Sequence, residues 1–127
     1  MQRIPVHVVT GASTSDRTQL IARLCRERTG WIGLVGADAG AEHPYLQILP
    51  AGCPCCTGKI VLQISLARAL RGRAAVRAFV ELADPAHAGM LEKALCEAPL
   101  NVAVRPAQTF VLPEAARLTA DQVEADS

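Results

Sequence analysis

Aromatic side chains are scarce in this sequence: two Phe, one Tyr and one Trp make up 3% of its 127 residues. That scarcity argues against an aromatic-rich sandwich and leaves Val, Ile, Leu and Ala, within an apolar share of 50%, to build the core. Neither sign of charge is in excess. Thirteen basic against twelve acidic residues give a net charge of +1, so no global field points to nucleic acid or to an anionic membrane. No stretch approaches the roughly 18 uninterrupted apolar residues of a membrane span, and the run from Ile4 to Val9 is too short for a signal peptide. Internal repeats and low-complexity linkers are missing as well, so the chain reads as one domain with its own core.

Against these absences the cysteines stand out by placement. Three of the five fall in Gly52-Cys53-Pro54-Cys55-Cys56-Thr57. A soft-metal site needs thiolates that converge on one point, and a short loop punctuated by Gly and Pro aims several sulfurs inward at little ordering cost. The alternatives are three small buried hydrophobes, or thiol redox chemistry through a vicinal Cys55–Cys56 disulfide. Three thiolates supply three of the four ligands that tetrahedral zinc prefers, so a fourth comes from water, another side chain or a partner. An odd cysteine count without an export signal points to a reducing compartment, with the cytoplasm as the default.

Along the chain, Ile4 to Thr10 reads as a buried strand stopped by Gly11. A polar loop runs from Gly11 to Thr18, and a helix then opens, its stripe of Leu20, Ile21, Leu24 and Cys25 closing at Gly30. Trp31 to Gly36 and Tyr45 to Leu49 are further strands, with the loop carrying Asp38 and His43 between them. A helix from about Ile60 closes at Arg71-Gly72-Arg73, and Ala75 to Leu82 is a fourth strand candidate. Asp84-Pro85 is an N-cap signal for a helix to about Cys96. Asn101 to Val104 reads as a weak strand and Thr109 to Leu112 as a better one. His7 and His87 read as structural or surface residues. Arg68, Arg71, Arg73 and Arg77 read as a solvated helix end. This alternation predicts an α/β fold with a three-layer, mostly parallel sheet and helices on both faces, spanning 4–115, followed by a polar tail over 116–127. Ligands collect at the carboxyl ends of such strands, where the loops at Gly11, at Asp38 and at the cysteines are expected to gather.

A strand leading into Gly11, a helix opening at Thr18, then Gly-Cys-Pro-Cys-Cys-Thr and finally Leu82-Ala83-Asp84-Pro85 together resemble the nucleotide-binding domain of the CobW-type P-loop GTPases. The resemblance implies a shortened P-loop NTPase-like domain whose cysteine motif lies beside the nucleotide site and binds zinc or a similar ion. It places Cys53, Cys55 and Cys56 as metal ligands, with Asp38, where the family has a Glu near the metal, as a fourth. His43 is a further candidate ligand, and Lys59 moderates the thiolate charge. Gly11, Asp16, Arg17 and Thr18 occupy the phosphate loop, with Thr18 as the magnesium-side hydroxyl.

The sequence departs from the family at that loop. The family pattern Gly-x-x-Gly-x-Gly-Lys-Thr-Thr reads here Gly11-Ala12-Ser13-Thr14-Ser15-Asp16-Arg17-Thr18-Gln19. Both inner glycines and the lysine are replaced; Asp16 adds negative charge, and Arg17 keeps a positive one in a bulkier fork that can equally pair with Asp16. Glu81 runs directly into Leu82, without the residues that sense a terminal phosphate. The base-reading Asn-Lys-x-Asp segment is missing.

The expectation is therefore a CobW-like metal-binding protein acting in metal homeostasis or delivery, with no catalytic residue to name and with GTP and Mg(2+) weakly supported. Its partners are a metal-receiving target protein or a full-length GTPase, or a second copy of itself, and neither nucleic acid nor membrane. The alternatives are a working GTP-dependent metallochaperone and a non-catalytic module that pairs with a complete GTPase.

Overall fold

The computed structural model describes residues 3–11, 13–35, 46–48, 68, 75–97 and 100–125. Strand β1 (Ile4–Gly11) is followed by helix α1 (Thr14–Glu27), β2 (Trp31–Val35), β3 (Leu46–Ile48) and β4 (Arg77–Leu82). A 3₁₀ turn over Pro85–His87 then runs into α2 (Ala88–Leu95). The single turn α3 (Leu100–Ala103), β5 (Val104–Pro106), β6 (Phe110–Leu112) and α4 (Ala120–Ala125) complete the order.

The sheet runs β3-β2-β4-β1, and the far side of β1 is divided between two short strands: β5 pairs with Ile4–Val6 and β6 with Val9–Gly11. Every pairing is parallel, as expected for β-branched strands buried on both faces. Alternation along the strands sorts the apolar side chains into two cores. Val6, Val8, Ile32, Leu34, Ala78, Val80 and Leu82 pack against Leu91 and Leu95 of α2, Leu100 of α3 and Val104. On the other face Val9, Trp31, Val35 and Phe79 pack against Leu20, Ile21 and Leu24 of α1 and Val123 of α4. The expected α/β fold, a parallel sheet between two helical layers, is therefore present.

Four local expectations change. Helix α1 opens at Thr14 instead of Thr18, because Ser13 is a working N-cap: its backbone is extended, its hydroxyl accepts from the Asp16 amide at 3.1 Å, and its carbonyl accepts from the Arg17 amide at 3.0 Å. The weak strand expected over Asn101–Val104 is instead the turn of α3, with pairing beginning at Val104. Arg77, grouped by the sequence with a solvated helix end, lies on β4 and is half-buried. The chain beyond 116 is not polar throughout, since Ala120 and Val123 are buried in the second core. Asp84 caps as expected, its Oδ1 accepting from the Ala86 amide at 2.9 Å. Among the described residues no helix is long and apolar enough to cross a membrane.

Candidate functional site

Because the strands are parallel, β1, β2, β3 and β4 all end at one edge, at Gly11, Val35, Ile48 and Leu82. That edge is where the sequence places its site. Gly11 has φ +85°, and a Cβ on it would lie 2.3 Å from the carbonyl oxygen of Leu112, so glycine is required by the close approach of β6.

Arg17 projects from the first turn of α1 back over this edge. Its Nε donates to Glu81 Oε1 at 3.0 Å, one terminal nitrogen donates to the Gly11 carbonyl at 3.0 Å, and the other donates to Thr14 Oγ1 at 3.0 Å. Arg17 and Glu81 are each about 5% exposed. Asp16, the other candidate partner of Arg17, is exposed and gives its amide to the Ser13 cap. Thr18 is buried, and its hydroxyl has no hydrogen-bond partner among the described residues; the same holds for Thr10. A glycine-rich phosphate cradle needs free backbone amides and a cation aimed at the anion. Here the loop is shortened by an early helix start, two amides are bonded to Ser13, and the guanidinium is turned inward onto a carboxylate and a carbonyl. Among the described residues, this arrangement does not form such a phosphate cradle.

Glu81 was not singled out by sequence reasoning, although a carboxylate between Val80 and Leu82 in a buried strand is a signal that a cation must be found for it. His7, read from the sequence as a structural or surface residue, is structural: it is fully buried, in a cluster that no local motif announces. His7 lies between Phe79 and Phe110, its ring stacked on each with centroids 5.1 and 5.0 Å away. Its Nδ1 lies 2.9 Å from the Gln108 carbonyl and its Nε2 lies 2.7 Å from a terminal nitrogen of Arg77. A carbonyl accepts only, and a guanidinium donates only, so His7 is neutral with its proton on Nδ1. Burial is the main cause that lowers its pKa to about 4; the bond to Gln108 acts the other way, and Arg77 and Arg105 add to the lowering. The Arg77 guanidinium also sits 5.2 Å above the Trp31 ring.

Cys25, read as core, is buried, and burial pushes its thiol up to about 12, so it takes no part in thiolate chemistry. Cys53, Cys55, Cys56, Asp38, His43 and Lys59 lie outside the described residues. Among the described residues no group of three or more His, Cys, Asp or Glu side chains is placed to hold a metal ion. No family model, no curated protein and no solved structure matches this chain.

Proposed function

We propose that this protein binds a thiophilic metal ion, zinc as the leading case, through Cys53, Cys55 and Cys56 with Asp38 as the fourth ligand. It does so on a scaffold that resembles a CobW-type G domain with its nucleotide site filled by its own side chains. The observation that carries the second half of this reading is the inward bonding of Arg17 to Glu81 and the Gly11 carbonyl. Held there, the guanidinium is turned away from the position where it would meet a polyphosphate.

Two features support the first half. Three thiols within four positions are a ligand set for a soft cation. The chain also leaves β2 and β3 at the same sheet edge as Gly11. Asp38 follows Val35 by three residues and Cys53 follows Ile48 by five; chain reach alone keeps them within roughly 11 and 18 Å of those strand ends. Metal is cargo in this reading: with a single carboxylate, Asp38, completing the three thiolates, that fourth position is the one a target protein's ligand can take over, which suits delivery in a reducing compartment such as the cytoplasm.

An anaerobic zinc titration of the fully reduced protein against a chromophoric chelator, run with and without Mg-GTP, tests the proposal. One tight equivalent that is indifferent to GTP and lost in the triple variant Cys53→Ser/Cys55→Ser/Cys56→Ser is the expected result. An affinity that shifts with GTP restores a GTP-dependent metallochaperone. No zinc binding in either condition removes the proposal and favours a module that pairs with a complete GTPase.

A further inference from the structure

The opposite edge of the sheet, away from Arg17, carries a second arrangement of chemistry. Register puts four residues in one row across four strands: Trp31 pairs with Arg77, and Pro5 pairs with Arg105 while its neighbour Val6 pairs with Ala78, the neighbour of Arg77. The row therefore runs Trp31, Arg77, Pro5, Arg105. Alternation places all four on the face of α1 and α4, because Val6, Ala78 and Val104, each one position away from a member of the row, belong to the opposite core. The two arginines thus straddle Pro5, about 10 Å apart at the backbone, with a short proline ring between them. His7, two residues further along β1, faces the same way behind them.

Among the described residues neither arginine has a carboxylate at ion-pair distance. Arg77 spends one terminal nitrogen on His7 and stacks on Trp31. Among the described residues its one carboxylate neighbour is Glu124, which attracts it from beyond ion-pair distance and is itself bonded to Arg28. Arg105 is half-buried and makes no hydrogen bond or ion pair among the described residues. Burial lowers the pKa of Arg77 most, Glu124 raises it, and Arg105 lowers it again, so the two guanidiniums lie within each other's field. Like charges held in one register row repel. The arrangement is relieved by an anion between them, and paired guanidinium forks match the oxygens of a phosphate group.

We propose that Arg77 and Arg105, straddling Pro5 and backed by His7, form an oxyanion-binding site for a phosphate dianion, free or carried as a small phosphate monoester. His7 holds the Arg77 fork in place through its Nε2 acceptor, and Trp31 supports it from the other side. The site is separate from the metal reading and does not depend on it.

The test is a titration of the full chain with inorganic phosphate and, in parallel, phenyl phosphate, with acetate at matched ionic strength as the monoanion control. Thermal unfolding and amide chemical shifts are the readouts. The expected result is a saturable rise in Tm with shift changes centred on His7, Arg77 and Arg105, an apparent Kd at least tenfold weaker in Arg105→Gln, and no comparable response to acetate. Arg105 lies on a short edge strand, so this variant folds. In phosphate-free buffer it is as stable as the native protein or more so, because a repulsion is removed. Equal affinity for the two phosphates assigns a free anion, and tighter binding of the ester assigns a phosphorylated small molecule; either supports the site. An unsaturable response, an equal response to acetate, an unchanged affinity in Arg105→Gln, or shifts confined to other residues overturns it.

Discussion

Nε of Arg17 and Oε1 of Glu81, 64 positions apart in sequence, meet at 3.0 Å with both side chains about 5% exposed. This buried ion pair ties the first turn of α1 to the carboxyl end of β4. Removing Arg17 takes from the buried Glu81 carboxylate the guanidinium it is bonded to, and Arg17→Met alone is expected to cost about 3–5 kcal/mol. The double variant Arg17→Met/Glu81→Leu is expected to recover most of that loss, since an apolar pair of similar volume needs no partner. Urea midpoints with an unchanged m-value check both. Equal losses in the single and double variants would refute the coupling.

His7 gives stability a pH dependence with a definite sign. Its pKa is about 4 in the fold against an ordinary 6.5, so the unfolded chain takes up the proton first as pH falls. The contribution is complete above pH 6.5, declines between 6.5 and 4, and is constant below that. Its full size is about 3 kcal/mol. The stability difference between the native protein and His7→Gln is therefore expected to shrink by about that amount between pH 7 and pH 4, read by urea unfolding at each pH. A difference that stays level across the range would show that His7 titrates normally.

Two glycines predict opposite outcomes for the same substitution. A Cβ on Gly33 of β2 would lie 2.3 Å from Ile21 Cγ2 and 2.8 Å from Leu46 Cδ2. Gly33→Ala is expected to destabilise by about 1–3 kcal/mol through overpacking beneath α1. A Cβ on Gly89 of α2 meets nothing within 4 Å. Gly89→Ala is expected to stabilise by about 0.5–1 kcal/mol through helix propensity. Thermal melts of the two variants give the comparison directly.

The last helix is held to the first by polar bonds at its rim and apolar burial at its centre. Arg28 bonds to Asp121 and Glu124, and Glu27 Oε2 accepts from the Ala120 amide at 3.0 Å. Val123 is fully buried between them. Arg28→Ala is expected to speed hydrogen exchange of the 120–125 amides at low salt, with the difference fading at about 1 M salt as the exposed pairs are screened. Val123→Ala is expected to cost about 2 kcal/mol at any salt concentration.

Most of the scaffold was legible because its signals are local. Ile4–Thr10 and Trp31–Val35 are short β-branched runs, Asp84-Pro85 announces a helix start, and alternation with helical segments implies a parallel sheet. The start of α1 is also written locally, as Ser13 with Asp16 three residues on, but the phosphate-loop pattern implies a longer loop there and outweighs it. The weak strand at Asn101–Val104 was misplaced because a four-residue helical turn and a three-residue strand leave no periodicity to count. The bonding around Arg17 and His7 was not legible. Glu81 lies 64 positions from Arg17, and Gln108 lies 101 positions from His7; only the folded register brings such pairs together. The cysteine segment, the strongest chemical signal in the sequence, lies outside the described residues.

The division of β1's outer side between β5 and β6 has a consequence for the order in which the molecule closes during synthesis. Residues 88–104 seal one face of the sheet, and the chain then crosses the edge between β5 and β6 to seal the other with Phe110, Ala120 and Val123. The face of α1 keeps an exposed apolar floor until Val123 has left the ribosome. Nascent chains stalled a few residues short of that point should hold a finished lower layer and a sticky upper one, which makes the α1 face the surface that a chaperone would meet.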